Sequence, residues 1–589
     1  MATTYDKASL VMIPSGVKES KLYSIKPTSG DGDFTFSRGT DTATRVNISG
    51  LIEKERGNIL LQSNTFSNAS WVKAGGTSLT GGQSGYDGSS DAWLLNKTSS
   101  FARIEQVISF SGVVSFSVYA KAGTHNFLYL RLDDSGSKEA YFNLSTGAVA
   151  SNNVIATDVS NIGGGWYRCN IVWNATSGTY ARIYPSDADN GVANSGAGNI
   201  YIQDAQLEQG LVATAPAIET TTAAVYEGIT DNLPRLDYSG GASCPSLLLE
   251  GSRTNQITNS EYFNGADWIN VDITYAYNAT ISPEGVQNAA QLNFTGTTFK
   301  RFEQNTSNAA TACTASIFMK YIDHAIVMAR MDSTSGASYA WFDIRTGEVL
   351  KVDGATGSVP DPIASVDDYG DGWYRLNTTQ TAMAATQEIF WYFVPDINTS
   401  TGGWTGSGSA YAYGAQFEEG NFSTSYIPTY GTSASRAGDE CTRSGISSLI
   451  GQTEGTLYFE GRPLVQGTYT GYSLSDGTTN NEIIIRFTTE DRIEYYLRKN
   501  GTQPIGGGTS LFDTDVNVKI AFAYKSGDSA VYVNGSLVTS NSTTDMPLNL
   551  NTLRFARGSG TSDFIGICNN ISLFPTRLTD AELAALTTI

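Results

Sequence analysis

Only two histidines, His125 and His324, are available as a base for a serine, threonine or cysteine nucleophile. Such chemistry needs the base within hydrogen-bond reach of the attacking group. His125 follows Ala120-Lys121-Ala122-Gly123 and His324 follows Lys320-Tyr321-Ile322-Asp323, 199 residues later. Both sit where a strand turns, so they read as two copies of one turn position. Glycoside hydrolysis would need two facing carboxylates. Glu208 and Glu418 are the best pair by type, but each lies in a repeated string, Ala205-Gln206-Leu207-Glu208 and Ala415-Gln416-Phe417-Glu418. Repetition of apolar and polar residues together marks framework. No catalytic residue is assigned, and the chain is not expected to be an enzyme.

Binding chemistry has better candidates. A sugar ring packs its C–H face on an aromatic plane while its hydroxyls seek polar neighbours. Trp71, Trp166, Trp268 and Trp373 recur in pairs and read as framework, whereas Trp93, Trp173, Trp391 and Trp404 have no counterpart and are the candidate carbohydrate contacts. Calcium takes clustered oxygen ligands, usually with carboxylates among them. Asp187 and Asp189, in Asp187-Ala188-Asp189-Asn190-Gly191, and Asp367 and Asp371, in Asp367-Asp368-Tyr369-Gly370-Asp371, are the candidate metal ligands. No cofactor is required, and structural calcium is the one option these runs leave open. They lack EF-hand spacing, and Asp/Asn/Gly runs are more often plain turns.

The elements that carry these residues come twice. Phe66/Trp71 returns as Phe263/Trp268, Tyr141 to Gly147 as Trp341 to Gly347, and Gly165-Trp166-Tyr167-Arg168 as Gly372-Trp373-Tyr374-Arg375. With the Ala-Gln strings the offsets grow from 197 to 200, 207 and 210, as in a copied domain that gained loop insertions. A period this long means whole domains. Short alternating runs such as Val113 to Ala120 and Phe127 to Leu132, broken by Gly, Asn, Asp and Ser, predict sandwich strands. From about residue 450 the tryptophans cease. Strands continue, among them Thr456–Glu460, Glu482–Phe487 and a hairpin turning at Asn534-Gly535. Thr579 to Glu582 forms a capping box that opens a terminal helix.

The chain has 589 residues and a net charge of −20, which disfavours nucleic acid as a partner. Its five cysteines are scattered, without a C-x-x-C pair, and suit free thiols in a reducing compartment. The first residues lack a signal-peptide pattern and no apolar run approaches a membrane span, so synthesis in a cytoplasm and no membrane insertion are expected.

Gly-Trp-Tyr-Arg at 165–168 and 372–375, with the Ala-Gln strings, resembles jelly-roll modules related to carbohydrate-binding modules, of the kind strung along bacteriophage virion proteins. Phe34 to Gly39 through Ala43 to Asn47 is similar to N-terminal segments of phage tail or head-fibre proteins. Tyr532-Val533-Asn534-Gly535 and Leu578 to Leu583 resemble concanavalin-A-like (laminin-G-like) lectin domains. The expectation is an all-β protein of tandem duplicated jelly-roll β-sandwiches and a C-terminal concanavalin-A-like sandwich. Its parts are an anchoring arm (1–56), repeat 1 (57–217), a connecting arm (218–247), repeat 2 (248–440) and a lectin-like domain (450–589). The resemblance implies a virion appendage that adheres to a host-surface glycan, with other virion proteins and its own copies, three by preference, as partners. A capsid-decorating or fibre-building protein without ligand and a polysaccharide depolymerase are the alternatives.

Overall fold

The computed structural model describes residues 4–192, 196–265, 267–306, 312–334, 336–354, 359–382, 387–399, 403–465, 469–488, 492–511 and 516–589. The protein is all-β, built as two compact units.

One unit spans 54–228 and 254–434 and contains both repeats. In repeat 1, Arg103–Ala122 and Trp166–Ser186 are each about twenty residues long and contribute to both layers of a sandwich. The first half of Arg103–Ala122 pairs with Val72–Ala74 and its second half with Gly198–Gln209. The corresponding stretches of repeat 2 carry Arg301–Thr306 with Cys313–Tyr321, and Trp373–Gln380 with Gln387–Phe393. Strand order is the same in both copies. One layer of repeat 2 runs Ile269–Val271, Arg301–Thr306, Gln387–Phe393, Ile326–Ser333, Gly336–Asp343, Glu348–Asp353. The other runs Ile273–Thr280, Ala289–Gly296, Gly406–Glu419, Cys313–Tyr321, Trp373–Gln380, Ile363–Asp368. Even a bulge is shared: Asp204 (φ 46°) and Gly414 (φ 60°) occupy the same left-handed position opposite the central strand.

Strict alternation makes the cores. Leu128, Leu130 and Leu132 point between the layers, while Tyr129 joins Tyr141 and Tyr184 on the outer face. Trp166 and Trp373 are both 3% exposed, as framework tryptophans should be. The repeats meet at Val113, Val172 and Leu211, which pack with Tyr262 and Tyr430. Lys54, just ahead of repeat 1, buries its ammonium in repeat 2 between Glu261 (2.9 Å) and Glu284 (3.0 Å).

The other unit joins 1–53 and 229–253 to 435–589. Both segments read as arms contribute strands to this sandwich. Leu10–Met12 and Ser246–Leu249 pair with Gly566–Phe574, and Phe34–Ser37 pairs with Glu440–Ser444. Their alternating apolar residues Phe34, Phe36, Leu247 and Leu249 enter the same core as Phe459, Phe522 and Ile571. A fully buried ionic clasp fastens the three passages. Arg235 binds Glu250 (2.6 Å) and Asp439, Arg436 binds Glu250 (2.9 Å), and Arg38 binds Asp439 (3.3 Å) and the Thr230 carbonyl (2.8 Å). The Asn534-Gly535 hairpin and the Thr579/Glu582 capping box form as the sequence predicts.

Candidate functional site

The repeated acids are structural. Glu208 is 2% exposed and accepts bonds from the Thr214 amide (2.8 Å), the Thr214 hydroxyl (2.6 Å) and Gln206 Nε2 (2.5 Å). Glu418 accepts from the Thr424 amide (2.8 Å), the Thr424 hydroxyl (2.7 Å) and Gln416 Nε2 (2.7 Å). Each carboxylate ties the last strand to the segment that follows it. Burial pushes the Glu208 carboxyl up to about 7, against its hydrogen bonds from Thr214 and Gln206. Asn58 and Asn255 complete the clamp. Asn58 Nδ2 donates to the Ala205 (2.9 Å) and Ile218 (2.8 Å) carbonyls, and its Oδ1 accepts from the Leu60 and Leu207 amides (both 3.1 Å). Asn255 does the same with Ala415, Ile427, Ile257 and Phe417.

The histidines close turns. His125 is 5% exposed with Nε2 3.2 Å from the Gly196 carbonyl. His324 Nε2 lies 3.1 Å from the Ile326 carbonyl, and burial lowers its pKa.

The four unpaired tryptophans do not form one surface. Trp391 corrects the sequence reading: it is 1% exposed, because Ile389, Trp391 and Phe393 take the inward register while Phe390 and Tyr392 face out. Trp93 is half-buried and donates to the Asn64 carbonyl (2.8 Å). Trp404 is half-buried, donates to the Phe393 carbonyl (2.9 Å) and carries the Lys300 ammonium 4.6 Å from its ring centre. Trp173 donates to Asp134 (3.2 Å) and is covered by Lys138 at 4.1 Å.

The acidic runs are used as turns. Asp189 accepts from the Ser151 amide (3.2 Å), Asp367 accepts from Asn377 (2.9 Å), and Asp371 holds a left-handed turn position (φ 52°). Asp187 draws on the Lys97 ammonium, whose pKa burial lowers. Among the described residues no three His, Cys, Asp or Glu side chains are grouped so as to hold a metal ion.

A polar aromatic face that tryptophan-based reading passes over lies on the C-terminal sandwich. Along Arg492–Lys499, Ile493, Tyr495 and Leu497 enter the core, so Glu494, Tyr496 and Arg498 face outward. On the neighbouring strand Glu482–Phe487, Ile483, Ile485 and Phe487 enter the core, and Glu482, Ile484 and Arg486 share the opposite face, where Glu482 and Ile484 are buried and Arg486 is half-buried. Register sets Arg486 opposite Glu494, Ile484 opposite Tyr496 and Glu482 opposite Arg498. Arg486 bonds Glu494 (2.7 Å) and the Tyr496 hydroxyl (3.0 Å). Its guanidinium lies 4.6 Å from the Tyr469 ring and 4.7 Å from the Tyr496 ring, with Arg498 5.8 Å from Tyr496. Tyr469 is 49% exposed. Burial lowers the Arg486 pKa, but Glu494 and Tyr496 outweigh it and the guanidinium stays charged. Held tyrosine faces beside hydrogen-bonding groups can take a sugar ring. The signal was present in Arg492-Ile-Glu-Tyr-Tyr-Leu-Arg498, whose alternation places every second polar side chain on one surface.

Residues 441–584 match the concanavalin A-like lectin/glucanases superfamily. No curated protein matches the sequence. Among solved structures, the Ruminococcus gnavus IT-sialidase CBM40 bound to α2,3 sialyllactose is 15% identical, over 24% of this chain and 86% of that one (TM-score 0.22). The CBM22-1-CBM22-2 tandem domain from Paenibacillus barcinonensis Xyn10C is 11% identical, over 62% and 98% (TM-score 0.18). The Trypanosoma rangeli sialidase in complex with the inhibitor DANA is 10% identical, over 87% and 93% (TM-score 0.20). Likeness at these scores carries no functional argument.

Proposed function

We propose that this protein is a non-catalytic glycan adhesin whose contact surface is the Tyr469–Arg486–Tyr496 face. The observation that supports it is an exposed tyrosine and a braced tyrosine flanking an arginine, on the stretch that matches the concanavalin A-like lectin/glucanases superfamily. Aromatic faces supply apolar contact and fixed polar groups supply orientation, the combination a carbohydrate requires. The repeats act as rigid modules whose duplicated acids hold loops. In this reading the chain is a bacteriophage virion appendage that works as a homotrimer, since joining weak sites raises effective affinity by ~10²–10⁴ where geometry permits.

A glycan array probed with the full chain and with Tyr496→Ala tests the binding claim. Glycans bound by the first and lost by the second support it. Release of oligosaccharides from a bound glycan would replace adhesion with cleavage, and an array without hits would leave a structural role. Light scattering tests the trimer, and peptide mass spectrometry of purified phage particles tests the location.

A further inference from the structure

Resting on the glycan reading, we infer that the ligand of this face is an acidic glycan, whose anionic group docks on Arg498 and Arg557. The chain as a whole carries −20, yet three guanidiniums gather here against two carboxylates. Arg486 is matched by Glu494 at 2.7 Å. Arg498 and Arg557 must share the other acid, Glu482, and both reach the same oxygen, Oε1, at 3.3 and 3.2 Å. The second oxygen of Glu482 accepts from the Gly558 amide at 3.2 Å, so the carboxylate is spent. Its side chain is fully buried, while those of Arg498 and Arg557 remain 24% and 23% exposed.

Two like charges held about one anion leave an excess positive charge that no side chain of the cluster cancels. A planar guanidinium offers five donors, more than Arg498 uses on Glu482 and Gln503 or Arg557 uses on Glu482. A carboxylate or sulfate approaching from solvent would meet both guanidiniums, with charge-assisted bonds stronger than a neutral hydroxyl can make. Tyr496 lies next to this point, its ring flanked by Arg486 and Arg498. One sugar could therefore rest on Tyr496 while its acidic group, or that of its neighbour, reaches Arg498 and Arg557. Glu494, on the other side, would repel the same group and fix its direction along the face.

Calorimetric titration of the full chain with an oligogalacturonate, a sulfated galactan oligosaccharide and the neutral galactan oligosaccharide tests this. The prediction is that at least one anionic ligand binds about tenfold or more tighter than the neutral one, the carboxylated and sulfated arms showing which acid is preferred. Binding should weaken as salt rises. Arg557→Gln and Arg498→Gln should each reduce affinity toward the neutral level, and Lys525→Gln, away from the face, should not. If Arg498→Gln fails to fold, Arg557→Gln and the salt dependence carry the test. Equal binding of neutral and anionic ligands, or equal loss in Lys525→Gln, overturns the acidic-ligand inference and leaves the glycan reading standing. If no glycan in a broad array binds, the glycan reading itself falls.

Discussion

Glu582 shows how far one side chain's environment is set by local sequence. It closes the capping box with the Thr579 amide (2.9 Å) and hydroxyl (2.9 Å), and also pairs with Lys7. The Lys7 and Thr579 bonds hold its carboxyl down at about 2, below the ordinary 4.5. A carboxyl depressed on folding stabilises the fold fully above its unfolded pKa and loses that contribution as pH falls toward 2. An NMR titration should find Glu582 near 2, and Lys7→Ala should move it up. The box was legible because its spacing is local; Lys7 was not, since 575 residues separate the partners. Trp391 was misread for a related reason. Composition marks a tryptophan as a candidate, but the register of its strand decides which way the ring points.

At the scale of elements, the duplication was the most readable property of the chain. Its offsets survive in strand order and in the Asn58 and Asn255 clamps. Each asparagine satisfies four buried backbone groups, two carbonyls and two amides. Truncation would leave them unpaired at about 1–3 kcal/mol apiece, partly relieved by water. Asn58→Ala and Asn255→Ala are each expected to cost about 3 kcal/mol or more, read as lowered denaturation midpoints. A loss below about 1 kcal/mol would show that the clamp is redundant. The Arg486–Tyr496 face was half legible. Alternation fixed which side chains of each strand share a surface. That Arg486 meets Glu494 follows only from the register of the two strands, which the sequence leaves open.

For the whole molecule, the sandwich completed by 1–53 and 229–253 was the least legible feature. Short alternating strands show that they will pair without showing with what, and pairing across hundreds of residues leaves no local trace. The buried clasp reveals the partnership, because Arg38, Arg235, Arg436, Glu250 and Asp439 are satisfied only when the three passages meet. Removing one partner strands a buried charge, so Arg235→Ala is expected to cost about 3–5 kcal/mol. All nine tryptophans lie outside this unit, so urea denaturation followed by hydrogen exchange of peptides from 435–589 measures it, and a cost near zero would mean that the core strands suffice without the clasp.

The central claim is that a glycan is bound on the outer face of the strands Glu482–Phe487 and Arg492–Lys499. Hydrogen–deuterium exchange of the full chain, with and without a glycan selected on an array, tests it most directly. The account predicts slowed exchange in peptides covering 482–487 and 492–499, with the repeats unchanged. Protection confined to the repeats, or binding without any protection of those two strands, would contradict it.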